Sequence, residues 1–142
     1  MMIDLKKRRL STLLLATLFI GSHAQAGETG VKVRFRITER TRGADGKIEL
    51  RTYENAVLMS FGEKFTGDFQ GEFRVSLLSL EAGNSAKVEI TVHDIRRSNA
   101  LAGQGATSVP FNGETLLELS KNEERSYSVV LLAEKHALPK QG

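Results

Sequence analysis

Residues 71–95 constrain the fold more than any other stretch, because they have the form of a long β-hairpin. Two runs of alternating apolar residues flank residues 82–85, Ala-Gly-Asn-Ser, a cluster with the turn chemistry that reverses a strand. If these four residues form the loop, Leu77 lies opposite Ile90 and both strands turn their apolar side chains to one face. The stretch therefore predicts a buried antiparallel hairpin.

A second hairpin is predicted nearer the start of the chain. Residues 31–38 alternate strictly between apolar and polar side chains, which is typical of a strand buried on one side. The dipeptide Asp45-Gly46 is the strongest hairpin turn signal in the sequence. A two-residue turn there pairs Val33 with Leu58, and it also sets Arg40 opposite Arg51, an unfavourable like-charge pair.

The remaining patterns indicate an all-β domain. Residues 61–71 interleave three Gly with three Phe, and we expect these aromatic rings to fill one end of the core rather than to form an aromatic ligand-binding loop. A short hairpin over residues 108–119 and an apolar strand over residues 126–133 complete the domain. About seven strands with short turns predict a small antiparallel β-sandwich, with a small closed β-barrel as the alternative.

The first residues have the features of an export signal. Lys6, Lys7, Arg8 and Arg9 precede an apolar run, and small residues follow at Ala24 and Ala26. This series predicts a cleavable signal peptide over residues 1–26, whereas an uncleaved N-terminal anchor is the alternative. We expect a periplasmic or secreted protein with no transmembrane segment after cleavage. The sandwich domain then covers residues 27–133, and the polar residues 134–142 are expected to form a disordered tail.

Charge and composition exclude several function classes. The chain has 20 Lys and Arg against 17 Asp and Glu, and removing residues 1–26 takes away four basic residues and Asp4, which leaves 16 of each. A neutral domain gives no support to nucleic-acid binding, which needs a basic excess. The sequence has no Cys, so it predicts neither disulfides nor thiolate chemistry, and this is compatible with a bacterial periplasm.

No motif in the sequence predicts an enzyme. It has no nucleophile-elbow pattern, no Gly-rich phosphate loop and no metal-ligand spacing. Glu89 and His93 share one predicted strand face, but an isolated exposed His on a strand is commonly only a polar surface residue. We therefore predict no catalytic residue, no cofactor and no metal.

Two segments stand out as candidate binding sites. Strand alternation gathers Lys32, Arg34 and Arg36 into a basic ridge, which predicts either a site for an anionic partner or charges that protect a sheet edge from pairing. Residues 96–107 lack a strand pattern and suggest a binding loop. The loop residues that we single out are Arg96, Arg97, Gly103 and Gly105.

These features lead to three hypotheses. The first is an exported, non-enzymatic β-domain that acts by binding, as an accessory or assembly factor of the bacterial envelope. Its partner is expected to be another envelope protein or an anionic envelope component. The second is a periplasmic inhibitor of a hydrolase that presents a protruding loop over residues 100–108, and the third is a small envelope enzyme with an unrecognised site.

Overall fold

The computed structural model describes residues 18–20 and 29–138, which form nine strands and one short 3₁₀-helix. None of the helices in these residues is long and apolar enough to cross a membrane. The elements, in chain order, are β1 (Leu18–Ile20), β2 (Thr29–Arg42), β3 (Ile48–Met59), β4 (Lys64–Phe69), β5 (Phe73–Ala82), β6 (Ser85–Asp94), the 3₁₀-helix (Ile95–Arg97), β7 (Ala100–Pro110), β8 (Glu114–Ser120) and β9 (Arg125–Ala137).

The strands form two sheets that pack face to face as a β-sandwich. The first sheet has the order β1-β3-β2-β9-β8, and the second has the order β4-β5-β6-β7. The short strand β1 pairs in parallel with β3, while all other neighbours in both sheets are antiparallel. Apart from the three-residue β1, the described residues thus give two antiparallel sheets of four strands each, eight strands rather than about seven. The strand missed by the sequence pattern is β4.

The central hairpin has the predicted register. Leu77 pairs with Ile90 and Val75 pairs with Val92, and all four side chains are at most 1% exposed. The reversal uses Gly83 at a φ of 62°, a left-handed conformation that glycine adopts without strain. The alternating apolar pattern therefore identified both the hairpin and its buried face correctly.

The predicted register of the β2–β3 hairpin is wrong by one residue. Val33 pairs with Val57 instead of Leu58, and Glu39 rather than Arg40 lies opposite Arg51. The cause is the turn: the Gly43 amide donates to the Lys47 carbonyl oxygen at 2.8 Å, which leaves three loop residues instead of two. Gly46 has a φ of 81°, as expected for a three-residue loop that ends in a bulge. The predicted like-charge pair consequently does not form.

The core lies between the two sheets and receives the aromatic rings of residues 61–71. Phe69 is 6% exposed and its ring centroid lies 5.1 Å from that of Phe35, in an edge-to-face arrangement. Phe61 and Phe65 are partly buried and pack against the same core. This agrees with the prediction that these rings fill one end of the core.

Residues 100–107 belong to β7, so the predicted loop over residues 96–107 is wrong for most of its length. β7 pairs with β6 along its length and lies against β8 of the other sheet. A Cβ atom on Gly103 would lie 2.6 Å from the carbonyl oxygen of Leu119, and one on Gly105 would lie 3.2 Å from the Leu117 side chain. Gly103 is therefore required by the close approach of β7 to the β8 backbone, whereas Gly105 lies against a β8 side chain.

Both ends of the chain are described only in part. Of the predicted signal peptide, Leu18–Ile20 is described as β1, and the predicted cleavage after Ala26 lies outside the described residues. β9 continues to Ala137, past the predicted end of the domain at Ala133, and Leu138 is buried with Leu58. Residues 139–142 of the predicted tail also lie outside the described residues.

The close approach at Gly103 leads to a stability prediction. We expect Gly103→Ala to lower the free energy of unfolding by about 1–3 kcal/mol, because the added methyl group overlaps the backbone of Leu119. Gly113→Ala is the matched control, since its Cβ would make only ordinary contacts at 3.6 Å. Urea denaturation measures both changes. Equal losses in the two variants would contradict the observed packing of β7 on β8.

Candidate functional site

Arg96 links the two sheets at the end of the sandwich that holds the β2–β3 and β8–β9 turns. Its Nη2 atom donates to Glu39 Oε1 at 2.7 Å and to Asp94 Oδ2 at 3.0 Å. Glu39 lies on β2 of the first sheet, whereas Asp94 ends β6 of the second. The two carboxylates are only 2% and 0% exposed, so Arg96 neutralises charges that water does not reach.

Further groups extend this contact into an inter-sheet ion network. Arg125 Nη1 donates to Glu39 Oε2 at 3.2 Å, and the Tyr127 hydroxyl lies 2.8 Å from Asp94 Oδ2 and 3.1 Å from Glu39 Oε2. Three carboxylates balance three guanidinium groups, so the network has no net charge. Its members are Glu39, Glu72, Asp94, Arg51, Arg96, Arg125, Tyr53 and Tyr127.

The network moves the pKa of Asp94 and the pKa of Tyr127 away from neutral pH. Burial alone would raise the pKa of Asp94, but the hydrogen bonds from Arg96 and Tyr127 outweigh it and lower that pKa below its ordinary value. Burial and the hydrogen bond to Asp94 raise the pKa of Tyr127. A general acid or base needs a pKa near the working pH. The pKa of Asp94 is lowered and the pKa of Tyr127 is raised, so both move away from neutral pH. Shifts in these directions are typical of an ion network that stabilises the structure.

The same contacts fix the 3₁₀-helix that follows β6. Asp94 Oδ1 accepts a hydrogen bond from the Arg96 backbone amide at 3.1 Å and so caps the helix. The Arg96 guanidinium also lies 5.4 Å from the centroid of the Phe73 ring. Ser98 and Asn99 then adopt left-handed conformations, with φ of 56° and 62°, that direct the chain into β7. The backbone position of Arg97 is therefore well defined.

A cationic cleft of about 430 Å³ opens beside the network, between the 3₁₀-helix and the β8–β9 turn. Four cationic side chains line it together with one carboxylate, Glu124. Arg125 is paired with Glu39, whereas the other three make no ion pair with any residue that the structure describes. Those three are Arg42, Arg97 and Lys121.

Backbone hydrogen bonds hold the wall of the cationic cleft formed by the β8–β9 turn. The Asn122 side-chain oxygen accepts from the Glu124 amide at 2.9 Å, the local bond that asparagine favours in turns. The Arg42 amide donates to the Glu124 carbonyl oxygen at 2.8 Å. The turn is thus attached to the end of β2, and Lys121 and Arg42 lie on the same cleft.

The predicted basic ridge lies in the middle of the outer face of the first sheet. β2 is paired with β3 on one side and with β9 on the other, so the alternative that these charges protect a free edge does not apply to this strand. Lys32 forms an ion pair with Glu134 at 3.7 Å. Arg34 and Arg36 make none among the described residues, although Glu54 and Glu114 line the same small cavity of about 130 Å³.

The ridge continues further than the sequence analysis recognised. Thr38 interrupts the ridge after Arg36, but Arg40 and Arg42 lie on the same face of β2 and border a groove of about 720 Å³ on the outer face. Two exposed apolar side chains line this groove, Leu50 at 51% and Leu116 at 64% exposure. The groove and the cationic cleft share Arg42 and Lys121, so the two concave regions meet at the β8–β9 turn.

The four predicted loop residues have separate environments. Arg96 is held in the inter-sheet ion network and Arg97 lines the cationic cleft. Gly103 and Gly105 lie within β7, where they face β8. The structure therefore does not bring the four together as a protruding loop.

Sequence reasoning also missed several residues of this end of the molecule. The continuation of the ridge to Arg40 and Arg42 was detectable, since strict alternation along β2 places them on the same face as Arg36. Lys121 and Arg125 carried no local signal, because they reach the cleft only through the pairing of β9 with β2.

The chain matches no protein-family model, no curated protein and no solved structure.

The lowered pKa of Asp94 makes a testable contribution to stability. A carboxyl group whose folded-state pKa is lowered stabilises the protein fully above its unfolded-state pKa, about 3.9, and this contribution is lost as the pH falls through the folded-state pKa. We expect Asp94→Asn to be about 1.5–3 kcal/mol less stable at neutral pH. The difference from the parent should narrow below a pH of about 4.

Urea denaturation over a series of pH values measures this difference, with Asp68→Asn as the control. Asp68 also forms a close ion pair, with Arg74 at 2.7 Å, but both side chains are largely exposed and solvent screens their interaction. A smaller change is therefore expected for Asp68→Asn. Stability profiles for Asp94→Asn and the parent that stay parallel from neutral to acid pH would contradict the assignment.

Proposed function

We propose that this protein is an exported, non-enzymatic β-sandwich domain that acts by binding, as an accessory or assembly factor of the bacterial envelope. The observation that carries the proposal is the row of arginines along the outer side of β2. The arginines of this row make no ion pair with any described residue. They lie on a strand that pairs with a neighbouring strand on each side. The four residues are Arg34, Arg36, Arg40 and Arg42. Arg42 is exposed and the other three are half-buried, and the buried Nε atom of Arg34 has no hydrogen-bond partner among the described residues, so the row has donors that a partner can satisfy.

A binding role is favoured over a catalytic one by the way charges are distributed. The buried carboxylates among the described residues, Glu39 and Asp94, form ion pairs with arginines within the inter-sheet ion network. The unpaired charged groups, in contrast, lie on an open sheet face. This separation suits recognition of a surface better than proton transfer at an enclosed site.

The expected partner is another envelope protein or an anionic envelope component. Planar guanidinium groups bind carboxylates and phosphates through two parallel hydrogen bonds, and a regular row of them favours an extended anionic surface. Leu50 and Leu116, both about half exposed or more, flank the row across the groove. Their burial would add an apolar contribution to the charged contacts.

The export part of the proposal rests on the basic and apolar series of residues 1–26. We infer a periplasmic location after cleavage, with secretion as the alternative. The hydrolase-inhibitor alternative has lost its support, because residues 100–108 lie in β7 and pair with β6 instead of forming a protruding loop. The envelope-enzyme alternative has no observation in its favour.

The test is partner capture from an envelope extract by Arg34→Gln/Arg36→Gln beside the parent. We expect the double variant to lose most of the capture at low ionic strength. The parent should lose capture as salt shortens the Debye length to about 8–10 Å or less, because exposed charges are screened. Unchanged melting temperatures would show that the fold is intact, since both side chains point away from the core.

Lys64→Gln/Lys87→Gln is the control, because it removes two positive charges from exposed positions on the second sheet. It should capture the partner like the parent. If the ridge variant and this control behave alike at low and high salt, the outer face of the first sheet is not the binding surface.

A further inference from the structure

The cationic cleft beside the 3₁₀-helix has more positive than negative charges among the described residues that line it. Of its four cationic side chains, Arg125 is neutralised by Glu39. The remaining three, Arg42, Arg97 and Lys121, face the single carboxylate of Glu124. Three positive charges against one negative charge leave a surplus of two.

Donors other than charged groups also line the cationic cleft. The Asn122 side-chain oxygen already accepts from the Glu124 amide, so its NH₂ group is left to donate. Ser120 and Thr41 add hydroxyl groups to the lining. The cleft therefore presents many donors and few acceptors, the composition that suits an anion with several oxygen atoms.

The surplus of two positive charges indicates which kind of anion fits the cationic cleft best. A carboxylate carries one negative charge, whereas a phosphate monoester carries about 1.5 to 2 at neutral pH and has three acceptor oxygens. Leu101, 55% exposed, lies on the rim of the cationic cleft and offers an apolar contact for the carbon part of an ester. Phosphate monoester chemistry matches both the charge and the lining.

The walls of the cationic cleft are held in place before any ligand arrives. Glu39 accepts a hydrogen bond from Arg125 and so orients it. Arg97 lies in the 3₁₀-helix, which Asp94 caps. The turn that carries Lys121 is attached to β2 by the hydrogen bond from the Arg42 amide. A site whose groups are already positioned loses less conformational entropy on binding.

From these observations we propose that the cationic cleft binds a phosphate monoester or inorganic phosphate through Arg97, Lys121 and Arg42. This site shares Arg42 with the row of arginines on β2 but includes neither Arg34 nor Arg36, and the inference does not depend on the proposed envelope partner. The phosphate group has two possible sources, a soluble phosphate compound and a phosphorylated lipid headgroup.

The experiment titrates the full-length protein with inorganic phosphate at a pH of about 8, where the second proton of phosphate is released. Sodium chloride at equal ionic strength controls for screening. Amide chemical shifts in residues 95–99 and 120–125 should move in a saturable way. We expect Arg97→Gln/Lys121→Gln to bind at least about tenfold more weakly, which corresponds to about 1.4 kcal/mol. Lys64→Gln/Lys87→Gln should bind like the parent.

A second arm identifies the source of the phosphate by co-sedimentation with vesicles of phosphatidic acid and of phosphatidylcholine. Co-sedimentation with phosphatidic acid alone, lost in Arg97→Gln/Lys121→Gln, assigns a membrane-borne phosphate monoester. Binding of inorganic phosphate without vesicle binding assigns a soluble one. The proposal is overturned if neither probe binds, or if Arg97→Gln/Lys121→Gln binds both probes as tightly as the parent.

Discussion

The contact of Arg96 with Glu39 and Asp94 is the interaction on which this end of the molecule depends. Two carboxylates from different sheets lie almost fully buried, at 2% and 0% exposure, and an unpaired buried charge is strongly destabilising. Arg96 forms an ion pair with both of them, and Arg125 adds a second ion pair to Glu39, so the burial of the two carboxylates requires the two sheets to pack on each other. Hydrophobic contacts are less directional, and they do not by themselves determine how the strand ends meet.

The consequences of this contact extend to the surface. The Asp94 side chain caps the 3₁₀-helix that carries Arg97, and Glu39 orients Arg125 on the opposite side of the cationic cleft. Partly buried arginines thus position the lining of a cleft whose other cations form no ion pair with any described residue. Both proposals rest on the cationic side chains that form no ion pair with a described carboxylate, because their charge is available to a ligand.

Local patterns were sufficient to predict the sheet-forming segments but not their long-range contacts. The alternation around residues 82–85 predicted the pairing of Leu77 with Ile90, because a period of two and a short turn leave one register that buries both faces. The β2–β3 register failed because Asp45-Gly46 forms part of a three-residue loop instead of a two-residue turn. Residues 100–107 of β7 were interpreted as a loop because of their glycines, and the contact of Gly103 with Leu119 of β8 has no signal in the local sequence pattern.

The candidate site was predictable only where it follows a single strand. Alternation along β2 brings Lys32, Arg34 and Arg36 to one face, whereas the inter-sheet ion network joins residues such as Glu39 and Arg96 that are 57 positions apart. No periodicity encodes such a pairing, since it depends on how two sheets meet. For the same reason Arg96 was interpreted as part of a surface loop.

A double-mutant cycle between Glu39 and Arg96 tests most directly whether this contact joins the two sheets. The free energy of unfolding is measured by urea denaturation for the parent, Glu39→Gln, Arg96→Gln and the double variant. A direct contact at 2.7 Å between buried groups predicts a coupling energy of about 0.5–3 kcal/mol. Losses that add within about 0.3–0.5 kcal/mol would show that the two residues act independently, and this would contradict the account.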